Sequence, residues 1–200
     1  MLNVASDLTE KVLTRQRQTF QLDLGAELDK LGDAEEIILA AATALGKHLG
    51  ANRVGYGEVQ DDQVTFVPSA CYAHQGEPLS GSYRLDAFGP NSIERQRQGI
   101  SEISEDVLAD PYQDPAIWSS IGTRAFISVP LIRDGQFRAS LYVNCREPRR
   151  WSSGDVALIE DVASRTWTAV ERARAEKHLR AERDRSVEIL ESIADAFLRR

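Results

Sequence analysis

The sequence of 200 residues has little cysteine and lacks long hydrophobic runs. Its two cysteines, Cys71 and Cys145, are too few and too widely spaced for a disulfide framework or a cysteine-rich metal site. Residues 37–45 form the best apolar run, which is far shorter than the roughly 20 residues that span a bilayer. Charged residues scattered through residues 1–20 exclude a signal peptide. We therefore expect a soluble cytoplasmic protein.

The sequence also lacks an excess of positively charged residues. The formal net charge is −7 and no local basic patch is evident, so the chain would gain no affinity from counterion release on DNA or RNA. Nucleic acid is not an expected partner. The 42% hydrophobic and 28% charged residues instead predict one globular domain with additional helix.

The N-terminal third of the sequence has two helical patterns. Residues 6–31 carry a narrow apolar stripe, which favours a helix–helix seam over a core position. Asp33 and Glu36 have the spacing of a capping box, and they predict a second helix over residues 34–49 that ends at Gly50.

The hydrophobic period then changes to that of strands. We predict strands over residues 52–60 and 63–73 around a turn, and a third over residues 82–87. Two short helices follow. Pro90 and Gly99 bound the first, and the pair Asp114-Pro115 starts the second, which ends near Gly122.

Residues 124–144 show the clearest hairpin, with its turn at Asp134-Gly135. Its first strand is apolar on both faces, as expected of a central strand. Its second strand alternates, so one face belongs to the core and the other is solvated or lines a polar pocket. The core face carries Phe137, Ala139, Leu141 and Val143, and the other face carries Arg138, Ser140, Tyr142 and Asn144.

Ser152 and Asp155 have the spacing of a second capping box, after which a helical pattern continues to the end of the sequence without proline or glycine. Residues 171–185 are too charged for a buried helix, because 10 of these 15 residues carry a charge. Such a helix is explained by pairing with a second copy or by relaying to another domain. Apolar spacing resumes at Val187, Leu190, Ile193, Ala194 and Phe197.

The segment "RAFISVPLIRDGQFRASLYVNCREPRRWSSGDVALIEDVASRTWTAVERARAE" resembles the C-terminal half of GAF domains, particularly those at the N-terminus of bacterial sensor histidine kinases. The segments "LGANRVGYGEVQDD" and "YRLDAFGPNSIERQRQGISEISEDVLADP" resemble their first hairpin and middle section. The resemblance spans about residues 33–176. It implies an α+β fold with a central antiparallel sheet of five or six strands, arranged strand-strand-helix-strand-helix-strand-strand between long N- and C-terminal signalling helices.

The segment "ERDRSVEILESIADAF" resembles the first helix of a PAS domain, a module that often follows GAF domains in these kinases. We divide the chain into an N-terminal dimerisation helix at residues 1–32, a GAF-like sensory domain at residues 33–170 and a charged linker helix at residues 171–200. The linker would lead to a PAS-like or kinase output domain in cis.

The sequence leaves the cofactor unidentified. Asn144 and Asp155 match the signature of cyclic-nucleotide-binding GAF domains, but Cys145 and Val156 replace its Lys and Glu, and Trp151 replaces its Phe. This loss argues against cyclic nucleotides, and the alternative is that Asn144 closes a strand while Trp151 fills the junction of sheet and helix. Neither cysteine has the setting of a bilin attachment site, which argues against a covalent bilin.

No catalytic or metal-binding pattern occurs. His48, His74 and His178 have no carboxylate or cysteine at a suitable spacing, and no glycine-rich nucleotide loop is found. We expect a non-enzymatic sensor that binds a small molecule and relays its state through a homodimer of the flanking helices. The alternatives are a ligand-free dimerisation scaffold and a GAF-type methionine sulfoxide reductase, although both cysteines are expected in strands.

The resemblance implies that the pocket lies on the face of the sheet covered by the middle segment. The candidate ligand-binding residues there supply an apolar and aromatic wall with a few directed polar groups. They are Tyr83, Phe88, Ile93, Trp118, Arg124, Ser128, Tyr142 and Asn144. The alternative role of each of these residues is packing. For Arg124 the alternative is an ion pair with a carboxylate at the start of its strand.

Overall fold

The computed structural model describes the backbone of residues 2–89 and 92–198, and the side chains of residues 12, 14–89 and 92–190. In this part of the chain, the helices are α1 (Leu2–Leu28), α2 (Ala34–Leu49), α3 (Ser92–Arg97), α4 (Pro115–Ser120) and α5 (Ser153–Leu198). The strands are β1 (Arg53–Val59), β2 (Thr65–Ala73), β3 (Tyr83–Arg84), β4 (Glu102–Ser104), β5 (Ala125–Arg133) and β6 (Gln136–Cys145).

The six strands form one antiparallel sheet in the order β3-β2-β1-β6-β5-β4. This confirms the predicted α+β class with a central antiparallel sheet. β5 lies between β6 and β4, and residues 125–131 are buried or half-buried on both faces, as the apolar pattern of this strand predicts. One detail differs from the expectations: the predicted third strand is paired only at Tyr83–Arg84, and a 3-10 turn, Leu85–Ala87, follows.

One face of the sheet packs against α1, α2 and α5 and forms the main core. Alternate residues of β1 and β6, such as Val54, Tyr56 and Leu141, point to this face and are fully or almost fully buried. Burying a side chain of this size stabilises the fold by about 1.5–3 kcal/mol. The phenol of Tyr56 lies 3.3 Å from the carbonyl oxygens of Val162 and Ala163, so β1 is also tied to α5 by hydrogen bonds.

The predicted stripe of α1 behaves differently along its length. Leu24 and Leu28 are 3% and 4% exposed and belong to the main core, so the interpretation of the whole stripe as a seam outside the core is wrong for this half. Val12 is exposed. The stripe therefore runs from an exposed position at Val12 to core positions at Leu24 and Leu28.

Capping residues set the ends of α2 and α5 as predicted. The Asp33 carboxylate accepts from the backbone N–H groups of Glu35 and Glu36. Ser152 and Asp155 cap each other reciprocally at 3.0 and 3.1 Å, which is a complete capping box.

The hairpin of β5 and β6 turns at Asp134 and Gly135, both of which have positive φ, as the tight two-residue turn requires. The register shifts near this turn, between Leu131 and Ile132. A bulge adds a residue and inverts the alternation beyond it. Phe137 consequently packs with Tyr142 instead of with the main core, and its predicted assignment to the core face is wrong.

The predicted C-terminal helix is present as α5, which is 46 residues long. Residues 174–190 are exposed on this chain, including Val187 and Leu190. The side chains of Ile193, Ala194 and Phe197 and the predicted helix start at Pro90 lie outside the described residues. None of the described helices is long and apolar enough to cross a membrane.

Candidate functional site

A cavity of about 50 Å³ lies on the face of the sheet opposite the main core. A cavity of this volume holds roughly four water molecules, so it fits only a small molecule unless its walls move. Six aromatic residues line it: Phe66, Tyr83, Phe88, Trp118, Phe126 and Tyr142. The polar lining residues are Ser92, Gln96, Glu102, Ser128, Ser140 and Asn144, and the aliphatic ones are Leu79, Leu85 and Ile121.

The register of the sheet places five residues in one line across the cavity face. Pairing across β4, β5, β6, β1 and β2 aligns them in the order Glu102, Ser128, Tyr142, Gly55 and Cys71. We call this line the cross-strand row. A carboxylate stands at one end of it, hydroxyl groups stand in the middle and a thiol stands at the other end.

Glu102 is the centre of a buried hydrogen-bond network. Its carboxylate accepts from the Ser92 hydroxyl, from the Gln96 amide at 3.1 Å and from the Gln113 amide at 2.8 Å. Glu102 is 6% exposed, and all three donors are neutral. The network therefore gives each oxygen atom of this carboxylate at least one hydrogen bond, and none of its donors supplies a counter-ion.

The two amides of this network are held in place at their other ends. The Gln96 carbonyl oxygen accepts from Ser128 at 3.1 Å, and the Gln113 carbonyl oxygen accepts from the Trp118 indole N–H at 2.9 Å. Each amide is thereby fixed with its NH₂ group toward Glu102. Residues from α3, α4, β4 and β5 thus form one connected polar floor.

Aromatic rings form the wall beside this floor. Trp118 stacks on Phe126 with ring centroids 4.0 Å apart and meets Phe88 edge to face at 4.7 Å. Such pairs contribute about 0.5–1.5 kcal/mol beyond their buried area. Ring–ring contacts therefore stabilise the wall.

Tyr142 lies in the middle of the cross-strand row and leans over Gly55. A Cβ atom at Gly55 would lie 2.5 Å from the Tyr142 hydroxyl oxygen and 2.5 Å from the Cβ of Cys71. The Tyr142 hydroxyl is buried and has no hydrogen-bond partner among the described residues. Burial, together with the neighbouring Cys71 thiol, raises the pKa of Tyr142 above its usual range. This phenol stays protonated, and the Cys71 thiol is the polar group beside it.

The structure brings together six of the eight predicted site residues around the cavity: Tyr83, Phe88, Trp118, Ser128, Tyr142 and Asn144. Ile93 and Arg124 do not line it. Ile93, which follows Ser92 on α3, packs against the cluster that contains Phe137 and Tyr142. Arg124 pairs with Asp106 at 2.7 and 2.9 Å, and this contact lowers the pKa of the Asp106 carboxyl below its usual range. That the six residues bind a ligand stays a prediction.

Several cavity residues were missed by sequence reasoning, above all Glu102 and its partners Ser92, Gln96 and Gln113. Glu102 lies in a strand of three residues whose buried positions are polar, while Ile103 between them is exposed. This pattern is the inverse of a core strand, so hydrophobic periodicity gives no signal for it. Trp151, in contrast, packs in the main core and donates to the Ser104 carbonyl at 3.1 Å, as its alternative structural role implies.

The two cysteines are free and lie on opposite faces of the sheet. Cys145 belongs to the main core, and Cys71 packs on the cavity side against the cluster that contains Tyr142. The described side chains include no group of three or more His, Cys, Asp or Glu that could hold a metal ion.

An antiparallel six-stranded sheet with α1, α2 and α5 on one face and an aromatic cavity on the other defines an α+β domain. The GAF domain family model matches residues 33–170, and the chain belongs to this family. No curated protein matches the sequence.

Solved structures with the same fold are distant in sequence. The chain is similar to a free methionine-R-sulfoxide reductase from Neisseria meningitidis in complex with its substrate, with 16% identity and a TM-score of 0.65 over 80% of this chain and 93% of that one. It is also similar to the phycoerythrobilin-bound GAF domain of a cyanobacterial phytochrome, with 16% identity and a TM-score of 0.68 over 81% and 98%. Residues 122 to 287 of a methyl-accepting chemotaxis protein give 21% identity and a TM-score of 0.62 over 77% and 98%. At these identities the likeness shows the fold alone.

Proposed function

We propose that this GAF domain is a sensory module that binds a small molecule in the cavity and relays its occupancy through the flanking helices. The observation that carries the proposal is the cavity itself, an aromatic wall beside a connected polar floor. Apolar walls with a few placed polar groups are what small-molecule sites need. The similar structures include a reductase in complex with its substrate and a phycoerythrobilin-bound GAF domain, which supports ligand binding at this fold.

The relay starts at β4, which carries Glu102. On one side of Glu102, Ser101 donates to Glu160 of α5 at 2.6 Å. On the other side, the Ser104 carbonyl accepts from Trp151, just before α5 begins. A ligand that fits one position of β4 better than another would therefore shift α5, because only differential affinity moves a conformational equilibrium.

The output of the relay is a parallel bundle of α1 and α5 in a homodimer. Val187 and Leu190 are 46% and 66% exposed on this chain and have the spacing of a coiled-coil seam. A small rotation or register change in this bundle would carry the signal to a PAS-like or kinase domain in cis. This organisation is typical of the N-terminal region of a cytoplasmic two-component histidine kinase.

The domain is non-enzymatic in this proposal. A methionine sulfoxide reductase needs a second thiol to resolve the sulfenic acid that forms on the first. Cys71 and Cys145 lie on opposite faces of the sheet, so they are not placed to react with each other. Loss of methionine sulfoxide from a reaction mixture with a thiol reductant, abolished by Cys71→Ser, would overturn this point.

Native mass spectrometry of protein purified from its own host tests the sensor. We expect a retained small molecule in the wild type, loss of it in Ser128→Leu, which fills the cavity floor, and retention in the matched surface variant Ser119→Leu. A wild-type domain that is empty from every growth condition would support the scaffold instead.

Light scattering tests the homodimer. Val187→Glu combined with Leu190→Glu should give a monomer at micromolar concentration, while Ser186→Glu, which adds charge beside the same seam, should stay dimeric. A wild-type chain that is monomeric contradicts the bundle.

A further inference from the structure

We infer that the cavity is selective for a small organic cation with an ammonium group, and that the carboxylate of Glu102 recognises its positive charge. This inference rests on the proposed function of the cavity as a ligand site. It adds the chemical class of the ligand, which the sequence does not indicate.

The first observation is an uncompensated buried carboxylate. Glu102 is the one charged residue among those that line the cavity, and none of the ion pairs among the described side chains includes it. A glutamate that is 6% exposed is normally paired with a cation. Here three neutral donors surround it. Arg95 lines the adjacent groove together with Glu102 but forms no ion pair with it among the described side chains, so on the cavity side a ligand can supply the counter-ion.

The second observation is that the network preserves an open acceptor site. Gln113 donates to Oε1 of Glu102, whereas Ser92 and Gln96 both donate to Oε2. A carboxylate oxygen accepts about two hydrogen bonds, so Oε1 retains capacity for one more donor. An ammonium group supplies N–H donors and the positive charge together, and it would form a charge-assisted hydrogen bond.

The third observation is the aromatic wall beside this carboxylate. Trp118 donates to Gln113, which in turn donates to Glu102, so the indole and the carboxylate belong to the same network. Phe126 covers one face of the Trp118 indole, so a cation would have to approach the rings of this wall on the sides that face the cavity. Aromatic faces attract cations through their quadrupoles. The same faces give an anion no stabilisation, and Glu102 would repel it.

The test uses three probes of equal chain length that differ in charge: n-propylammonium, 1-propanol and propionate. Binding is followed by NMR at the indole N–H of Trp118, whose signal is assigned by its loss in Trp118→Phe. We expect saturable shifts with n-propylammonium at concentrations at least tenfold below those needed with 1-propanol, and no saturable shift with propionate.

Glu102→Gln should remove the preference for the ammonium probe, and Glu94→Gln, which removes the same charge from an exposed site on α3, should keep it. The wild-type comparison decides the inference even if Glu102→Gln fails to fold. Equal saturable binding of n-propylammonium and 1-propanol would overturn the charge selectivity while leaving the cavity as a ligand site. Failure of all three probes to shift Trp118 would also overturn the inference, and the mass-spectrometric test then judges the proposed function separately.

Discussion

Two tyrosines on neighbouring strands of this sheet should respond in opposite directions to the same substitution. Tyr142 and Tyr56 are 6% and 1% exposed, and they lie on opposite faces. The Tyr142 hydroxyl has no hydrogen-bond partner among the described residues, whereas the Tyr56 hydroxyl contacts two carbonyl oxygens of α5 at 3.3 Å. Replacing tyrosine with phenylalanine removes the hydroxyl and keeps the ring at both positions.

The magnitudes follow from what each hydroxyl does. A buried polar group without a partner costs about 1–3 kcal/mol, so Tyr142→Phe should raise the free energy of unfolding by about 1 kcal/mol. A satisfied hydrogen bond contributes about 0.5–1.5 kcal/mol, so Tyr56→Phe should lower the free energy of unfolding by about 1 kcal/mol. For a chain of this length, each change corresponds to about 2–4 °C in Tm.

Urea denaturation and thermal melts of the ligand-free protein measure both variants. The wild-type chain should lie between them, with Tyr142→Phe above it and Tyr56→Phe below it. If Tyr142→Phe is destabilised as much as Tyr56→Phe, the Tyr142 hydroxyl has a partner in the folded protein, and our interpretation of it as an unused donor on the cavity face is wrong.

Two further predictions concern the contacts around the cavity. Trp151→Phe replaces the indole by a smaller phenyl ring and removes the donor to the Ser104 carbonyl, so we expect a loss of at least about 1 kcal/mol in urea denaturation. Probe binding at Trp118 should be retained and the response of α5 in hydrogen exchange should be reduced; an unchanged helix response would refute the relay through β4. The Arg124 contact holds the pKa of Asp106 below its unfolded value of about 3.9, so this pair contributes stability that is present above that value and is lost as the pH falls through the folded pKa. Urea denaturation from pH 6 to pH 3 should therefore show the stability difference between wild type and Asp106→Asn shrinking as the pH falls, and a constant difference would refute this reading.

Much of the fold could be predicted because its local signals agree with its tertiary packing. Asp33 and Gly50 set both ends of α2, and the Asp134-Gly135 turn sets the hairpin of β5 and β6. The bulge before that turn could not be predicted, since nothing in the residues marks the extra position. Phe137 was therefore assigned to the wrong face.

The site was harder to predict, for two physical reasons. Glu102 is polar and buried, and a polar residue in a strand is ordinarily read as exposed. The resemblance implies Ile93 as the cavity residue of α3, but Ser92 and Gln96, four residues apart, share the helix face that meets the cavity. In α3 and β4, the residues that face the cavity are therefore the polar ones.

The glycines of β1 limit what the cavity can hold. On the cavity face β1 presents Gly55 and Gly57, and the space that their side chains would occupy is taken by the rings of Tyr142 and Phe66. The protein thus fills most of its own groove, which is why only about 50 Å³ is left beside Glu102 and the aromatic wall. A large cofactor such as a tetrapyrrole would have to displace both rings and expose them to solvent, at a cost of a few kcal/mol in lost apolar burial. A small ligand that enters beside Glu102 has no such cost, because the polar floor and the aromatic wall are already assembled.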